Sequence, residues 1–147
     1  MDQNGKKICQ YTDNTRPYYA TLYLVHHRIP LYGAYRFDPA CFTDSERPSY
    51  WHLEPQLSKP EEQSLYSMVR ENQRSKNAYK ENQAISDDYS ETGYDRAHLN
   101  PNSFQCSEGR RSTFTLTNAA PMDACFNRNQ WGKWEKTEDF FKRQAQK

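Results

Sequence analysis

The sequence predicts an α+β fold made mainly of antiparallel sheet and closed by one long helix. Two observations carry this reading: segments rich in aromatic and β-branched residues cluster in the first third, and the strongest helical periodicity lies after residue 126. A long polar loop and one further strand separate them.

Residues 19–25 (YATLYLV) and 28–37 (RIPLYGAYRF) have strand composition, and the short polar link His26-His27 joins them as a hairpin. Pro30 cannot donate to a ladder, so it belongs at a strand start or a sheet edge. Residues 50–53 (YWHL), stopped by Glu54-Pro55, read as a third strand with His52 alternating outward. Pro60-Glu61-Glu62 opens a short helix that carries Leu65, Met68 and Val69 at helical spacing. Residues 71–92 are polar with few apolar anchors and read as a long surface loop. Residues 112–117 (STFTLT) alternate hydroxyl with apolar side chains and give the fourth strand. Residues 126–146 form the long helix: Trp131, Trp134 and Phe141 supply a buried face, and Lys142, Arg143 and Lys147 sit where the helix dipole favours cations. Trp131 and Trp134 are expected in the core.

A chain of 147 residues is the size of one domain. Only 35% of it is hydrophobic and the mean hydropathy is −1.19. Eleven Tyr, seven Phe and three Trp therefore supply the buried area, a content that separates this chain from disordered sequences. Twenty basic residues nearly cancel 19 acidic ones, so attraction to a polyanion has to come from a local patch. The sequence has no apolar run long enough to cross a membrane, and its first residues, MDQNG, do not form a signal peptide. Cys9, Cys41, Cys106 and Cys125 show no C-x-x-C spacing, which argues against structural zinc; two disulfides and four reduced thiols are both compatible with them.

The stretch GYDRAHLNP (residues 93–101) puts a carboxylate, a guanidinium and an imidazole within four positions. Hydrolysis of a phosphodiester asks for a base, a cation and positive charge on the phosphate oxygens. Neutral His98 can take the proton from water, and Arg96 can hold phosphate through its planar fork. Asn127 and Glu135 lie eight residues apart on the long helix and offer the oxygen ligands a hydrated Mg²⁺ prefers.

GYDRAHLNP, the later TNAAP (residues 117–121) and FNRNQWGKWE (residues 126–135) together resemble the DNA/RNA non-specific endonucleases, the DRGH-motif enzymes with a ββα-metal finger. Through ICQ (8–10), ATLY (20–23), RIP (28–30) and EPQL (54–57) the chain is especially similar to their endonuclease domain-containing 1 branch. The resemblance implies His98 as general base, Asn127 as the direct ligand of hydrated Mg²⁺, and Glu135 as the residue that orders its water. It further implies that Arg96 contacts phosphate, that Asn118 helps orient the site, and that Arg47 acts as a transition-state arginine. Mn²⁺ and Ca²⁺ are alternative ions. The partners implied are the DNA and RNA backbones, with no membrane, and the setting implied by the resemblance and the cysteines is extracellular.

Two departures weaken the likeness. Ala97 stands where the family motif has Gly, which brings strain if the backbone there needs positive φ, and a methyl that crowds the site. The chain also ends at Lys147, before the strands and loops the resemblance leads one to expect, so a truncated domain is expected. These departures motivate an alternative: a weakened or inactive nuclease scaffold that binds nucleic acid or another partner.

Overall fold

A computed structural model describes residues 5–37, 47–58, 66–137, 140–141 and 144. Strands β1 (Gly5–Gln10), β2 (Tyr19–Leu24) and β3 (Ile29–Tyr35) form an antiparallel sheet in that order. Alternation along β2 turns Tyr19, Thr21 and Tyr23 inward. Tyr23 packs with Ile8 and Leu57, and its hydroxyl accepts the Ala84 amide at 3.0 Å, which satisfies the one polar atom the ring carries inside. Pro30 lies on β3, an edge strand, beside a register shift between Leu22 and Tyr23 in β2. The hairpin expected there is present, with His26 and His27 exposed in its turn.

Two short strands, β4 (His52–Leu53) and β5 (Val69–Arg70), pair antiparallel. Leu53 joins Ile85, Leu116 and Ala119 in a second core cluster, against which Trp51, Val69, Tyr79 and Tyr89 pack. A third unit holds most of the residues the sequence singles out as candidates. Strands β6 (Tyr94–His98) and β7 (Ala119–Asp123) pair antiparallel across the 20 residues that separate them, and β7 runs straight into helical chain: α3 (Ala124–Phe126), a π-helical turn (Asn127–Trp131) and α4 (Gly132–Glu135). Asp123 makes the corner by accepting the Phe126 amide at 2.9 Å. The fold is thus α+β with antiparallel sheets, and β6, β7 and the helical segment make the ββα arrangement.

Several local expectations change. GYDRAHLNP (residues 93–101) shows no strand pattern and follows directly on the expected loop, yet residues 94–98 are strand β6. The expected surface loop 71–92 contains a helix, residues Gln73–Tyr79, hereafter α1. It is started by a capping box in which Asn72 and Ser75 exchange side-chain bonds with each other's amides, so its signal lies in the cap and not in an apolar stripe. Residues 83–85 of the same stretch are buried.

The expected strand 112–117 is the end of helix α2 (Ser107–Ser112), a short extended link and a 3₁₀ turn (Leu116–Asn118). Its hydroxyls are buried because backbone carbonyls accept from them: Ser112 donates to Gly109 at 2.6 Å and Thr113 to Arg110 at 2.7 Å. Met68 and Val69 do not continue a helix, since Val69 is in β5; residues 59–65 of that expected helix lie outside the described residues. His52 is buried and not outward, with Nδ1 at 2.9 Å from the Phe114 carbonyl. Trp134 is 39% exposed and Trp131 only partly buried; they stack on each other at 4.8 Å and are not core residues. The long helix is continuous from Ala124 to its cap at Lys136, and Phe140, Phe141 and Gln144 are again helical.

Cys9 and Cys125 are free and exposed, so the four cysteines do not form two disulfides. Cys106 is disulfide-bonded, and Cys41 lies outside the described residues. No helix among the described residues is long and apolar enough to cross a membrane.

Candidate active site in the ββα unit

His98 ends β6 between two rings, with Trp51 at 5.0 Å and Phe114 at 4.7 Å between centroids. Its backbone is held on both sides: Trp131 Nε1 donates to its carbonyl at 3.3 Å, and the next amide, Leu99, donates to the Asn118 carbonyl at 3.0 Å. The imidazole is buried, and among the described residues its Nε2 has no hydrogen-bond partner. Burial first, then the guanidiniums of Arg47 and Arg96, push its pKa down to about 3, so the ring is neutral at physiological pH.

Arg96 is braced from behind. It donates from Nη1 to Ser86 Oγ at 2.7 Å and lies 5.0 Å from the centre of the Trp51 ring. Ser86 is itself fixed by Glu71, which accepts from its amide at 2.7 Å and its hydroxyl at 2.5 Å. Arg47 lies 5.4 Å from the centre of the Phe114 ring. Both guanidiniums thus lie over aromatic rings at cation–π distance.

Asn127 opens the π-helical turn and donates from Nδ2 to Asp95 Oδ2 at 3.0 Å. That bond fixes the amide flip and leaves Oδ1 as the acceptor for a ligand. Arg128 grips Asp95 with two bonds of 2.9 and 2.8 Å, and this pairing is the main reason the Asp95 pKa is lowered. Glu135 closes α4, and burial raises its carboxyl pKa, opposed by Arg47. The π turn inserts a residue relative to a regular helix, yet Asn127 and Glu135 still face the same space.

That space is a cleft of about 460 Å³ whose walls include Arg47, Arg96, His98, Asn127 and Glu135. Five of the six residues expected to form the site meet there. The sixth, Asn118, does not reach it. Its side chain is buried and spent on backbone, accepting from Asn100 N at 2.9 Å and donating to the carbonyls of Asn100 and Thr113 at 3.0 Å each, which secures the chain behind His98. Ala97 is in β6, and among the described residues only Arg28, Glu91, Ser107 and Gly93 have positive φ, so the strain feared at Ala97 does not arise.

Among the described residues no three His, Cys, Asp or Glu side chains gather as a metal site. The available oxygens are one amide and one carboxylate. Such a sparse, hard donor set fits an ion that retains most of its water, as Mg²⁺ does, and does not fit zinc. Sequence reasoning assigned no role to Asp95, Ser86, Glu71 or Trp51. Asp95 was visible inside the quoted motif; the others come from distant segments and carried no local signal.

The chain matches the DNA/RNA non-specific endonuclease family over residues 2–147. It is 37% identical over 123 residues to the human endonuclease domain-containing 1 protein, covering 82% of this chain and 23% of that protein. It is 32% identical over 128 residues to the mouse protein of the same name, covering 85% of this chain and 24% of that protein. The aligned part of the chain thus spans about a quarter of each relative.

Proposed function

Because the chain belongs to the DNA/RNA non-specific endonuclease family, we propose that it hydrolyses phosphodiester bonds of DNA and RNA without strong sequence preference, using the cleft of the ββα unit. The observation that carries the proposal is the buried His98 Nε2, unpartnered among the described residues, in the same cleft as Asn127, Glu135 and two guanidiniums.

His98 acts as general base. Its neutral imidazole is available to accept a proton from the attacking water, and its aromatic cage holds the ring in place. Arg96 and Arg47 hold the non-bridging oxygens, and their charge offsets the negative charge that builds on phosphorus-bound oxygen. An arriving phosphate partly neutralises both guanidiniums, which raises the His98 pKa from about 3 and makes the ring a stronger base when substrate is bound. Asn127 Oδ1 would hold a divalent ion directly and Glu135 would hold it through water. When bound, that ion, Mg²⁺ first and Mn²⁺ or Ca²⁺ as alternatives, supplies Lewis-acid polarisation of the ester and charge stabilisation at the leaving oxygen. We also propose an extracellular setting, supported by the bonded state of Cys106.

The purified chain should nick and then degrade plasmid DNA and structured RNA in the presence of Mg²⁺. His98→Ala should lower the rate by about 10²-fold or more. Equal cutting by both proteins would remove His98 from the mechanism.

A second reading, nucleic-acid binding without cleavage, is favoured by one feature: Ala97 also lines the cleft, so its methyl takes space there that Gly would leave open. Ala97→Gly separates the two readings. A gain in cleavage of more than about tenfold marks a weakened enzyme, whereas binding without cutting in either form supports the binding module.

A further inference from the structure

Beside the proposed catalytic cleft lies a second one of about 480 Å³, joined to it by three shared residues, Arg47, Arg96 and Asn127. Its remaining walls are four aromatic residues, Trp51, Tyr89, Tyr94 and Phe114, with Ser86, Ser90 and Asp95. Tyr94 is 54% exposed, at the first position of β6. The exposed ring thus shares a cleft with two guanidiniums, Arg47 and Arg96.

Strand geometry connects the two clefts. In β6, Tyr94, Arg96 and His98 are at i, i+2 and i+4, so they fall on one face at steps of about 7 Å. Tyr94 lines only the second of the two clefts, Arg96 lines both, and His98 lines only the first. A phosphate held by Arg96 in front of His98 therefore has Tyr94 one step back along the strand, within reach of its neighbouring base. Asp95 also lines the second cleft, but its charge is matched by the two-bond grip of Arg128. Tyr89 is anchored by its hydroxyl, which donates to the Ala119 carbonyl at 3.1 Å, so it forms fixed wall.

We propose that this second cleft is a base-stacking subsite, with Tyr94 as the platform, and that it makes an unpaired strand the favoured substrate. The inference rests on the proposed nuclease reading for where the phosphate sits. A base can lie on Tyr94 only if it leaves its partner, so a duplex spends pairing energy to use the subsite and a single strand does not. Stacking on an aromatic ring is indifferent to base identity, which suits cleavage without sequence preference.

The test is fluorescence anisotropy in EDTA, which removes cleavage from the readout, using a labelled single-stranded octanucleotide and its blunt duplex. Wild type should bind the single strand more tightly. Tyr94→Ala should weaken single-strand binding by about tenfold, and Tyr94→Phe should keep it within about twofold. Tyr94→Leu retains apolar bulk without a π face and should resemble Tyr94→Ala, which decides the matter if the alanine protein folds poorly. Equal weakening on single strand and duplex, no weakening, or a phenylalanine protein as weak as the alanine one would each overturn the proposal. Plasmid cutting by wild type is assayed in parallel. If the binding pattern holds but wild type cuts nothing, the catalytic reading fails and the subsite stands; if wild type cuts and Tyr94→Ala binds normally, the subsite fails alone.

Discussion

At the scale of residues, the Asp95 carboxylate decides what Asn127 can do. Asp95 occupies the amide nitrogen and so presents the oxygen, a task that neither the alternation of β6 nor the periodicity of the helix announces. Asp95→Ala should lower divalent-ion affinity by about 10- to 100-fold, measured as the Mg²⁺ concentration for half-maximal cleavage. Its thermal midpoint should stay near that of wild type, because the Arg128 it leaves behind is exposed. His98 gives a second expectation. In free enzyme its pKa is about 3, so kcat/KM should stay level as pH falls through 6.5, while kcat should decline at higher pH than kcat/KM does, because bound phosphate raises the value. Rate profiles from pH 5 to 8 show this, and a kcat/KM limb at an ordinary histidine value would contradict the buried, doubly flanked imidazole. Asp95 stood in the motif with no role read for it, whereas His98 was legible in the sequence because that motif is compact. The aromatic cage around His98 was not, since Trp51 and Phe114 come from segments 47 and 16 residues away on either side.

At the scale of elements, legibility followed the kind of physics that holds each one. The β2–β3 hairpin was readable because its stability comes from alternating burial, the pattern a sequence displays. Strand β6 was hidden because its side chains are chosen for a site: Tyr94, Asp95 and Arg96 look like loop residues until β7 pairs with them. Helix α1 was hidden because its start depends on the Asn72 and Ser75 exchange. Asn72→Ala should therefore cost about 1 kcal/mol in chemical denaturation. The π turn was equally invisible. Deleting Asn129 takes out the inserted residue, so the helix should become regular with Glu135 still facing the cleft. The expected result is a folded protein by circular dichroism that keeps its cleavage, and loss of cleavage would contradict it.

At the scale of the whole molecule, two buried ionisable groups pull stability in opposite directions. Glu54 is fully buried among Gln10, Gln56 and Gln83, and burial raises its pKa from 4.5 to about 8. A raised folded-state value means its contribution is complete below about pH 4.5 and is lost as pH rises through 8. His98 is the reverse case: its folded-state value falls from 6.5 to about 3, so its contribution is present above pH 6.5 and is lost as pH falls toward 3. Together they place maximum stability on the acid side of neutrality. Thermal melts from pH 4 to 9 should show this, and Glu54→Gln should flatten the alkaline side. The α+β class was legible from the order of strand-like and helix-like segments, whereas the joining of three separate small sheets through buried polar side chains was not.

The central claim is that a divalent cation held by Asn127 faces the imidazole of His98. Paramagnetic Mn²⁺ added to protein with labelled histidine rings reports this directly, with exposed His26 and His27 in the β2–β3 turn as controls. The predicted result is selective broadening of His98 that disappears in Asn127→Ala. A sharp His98 resonance at saturating Mn²⁺, or broadening that persists without Asn127, would contradict it.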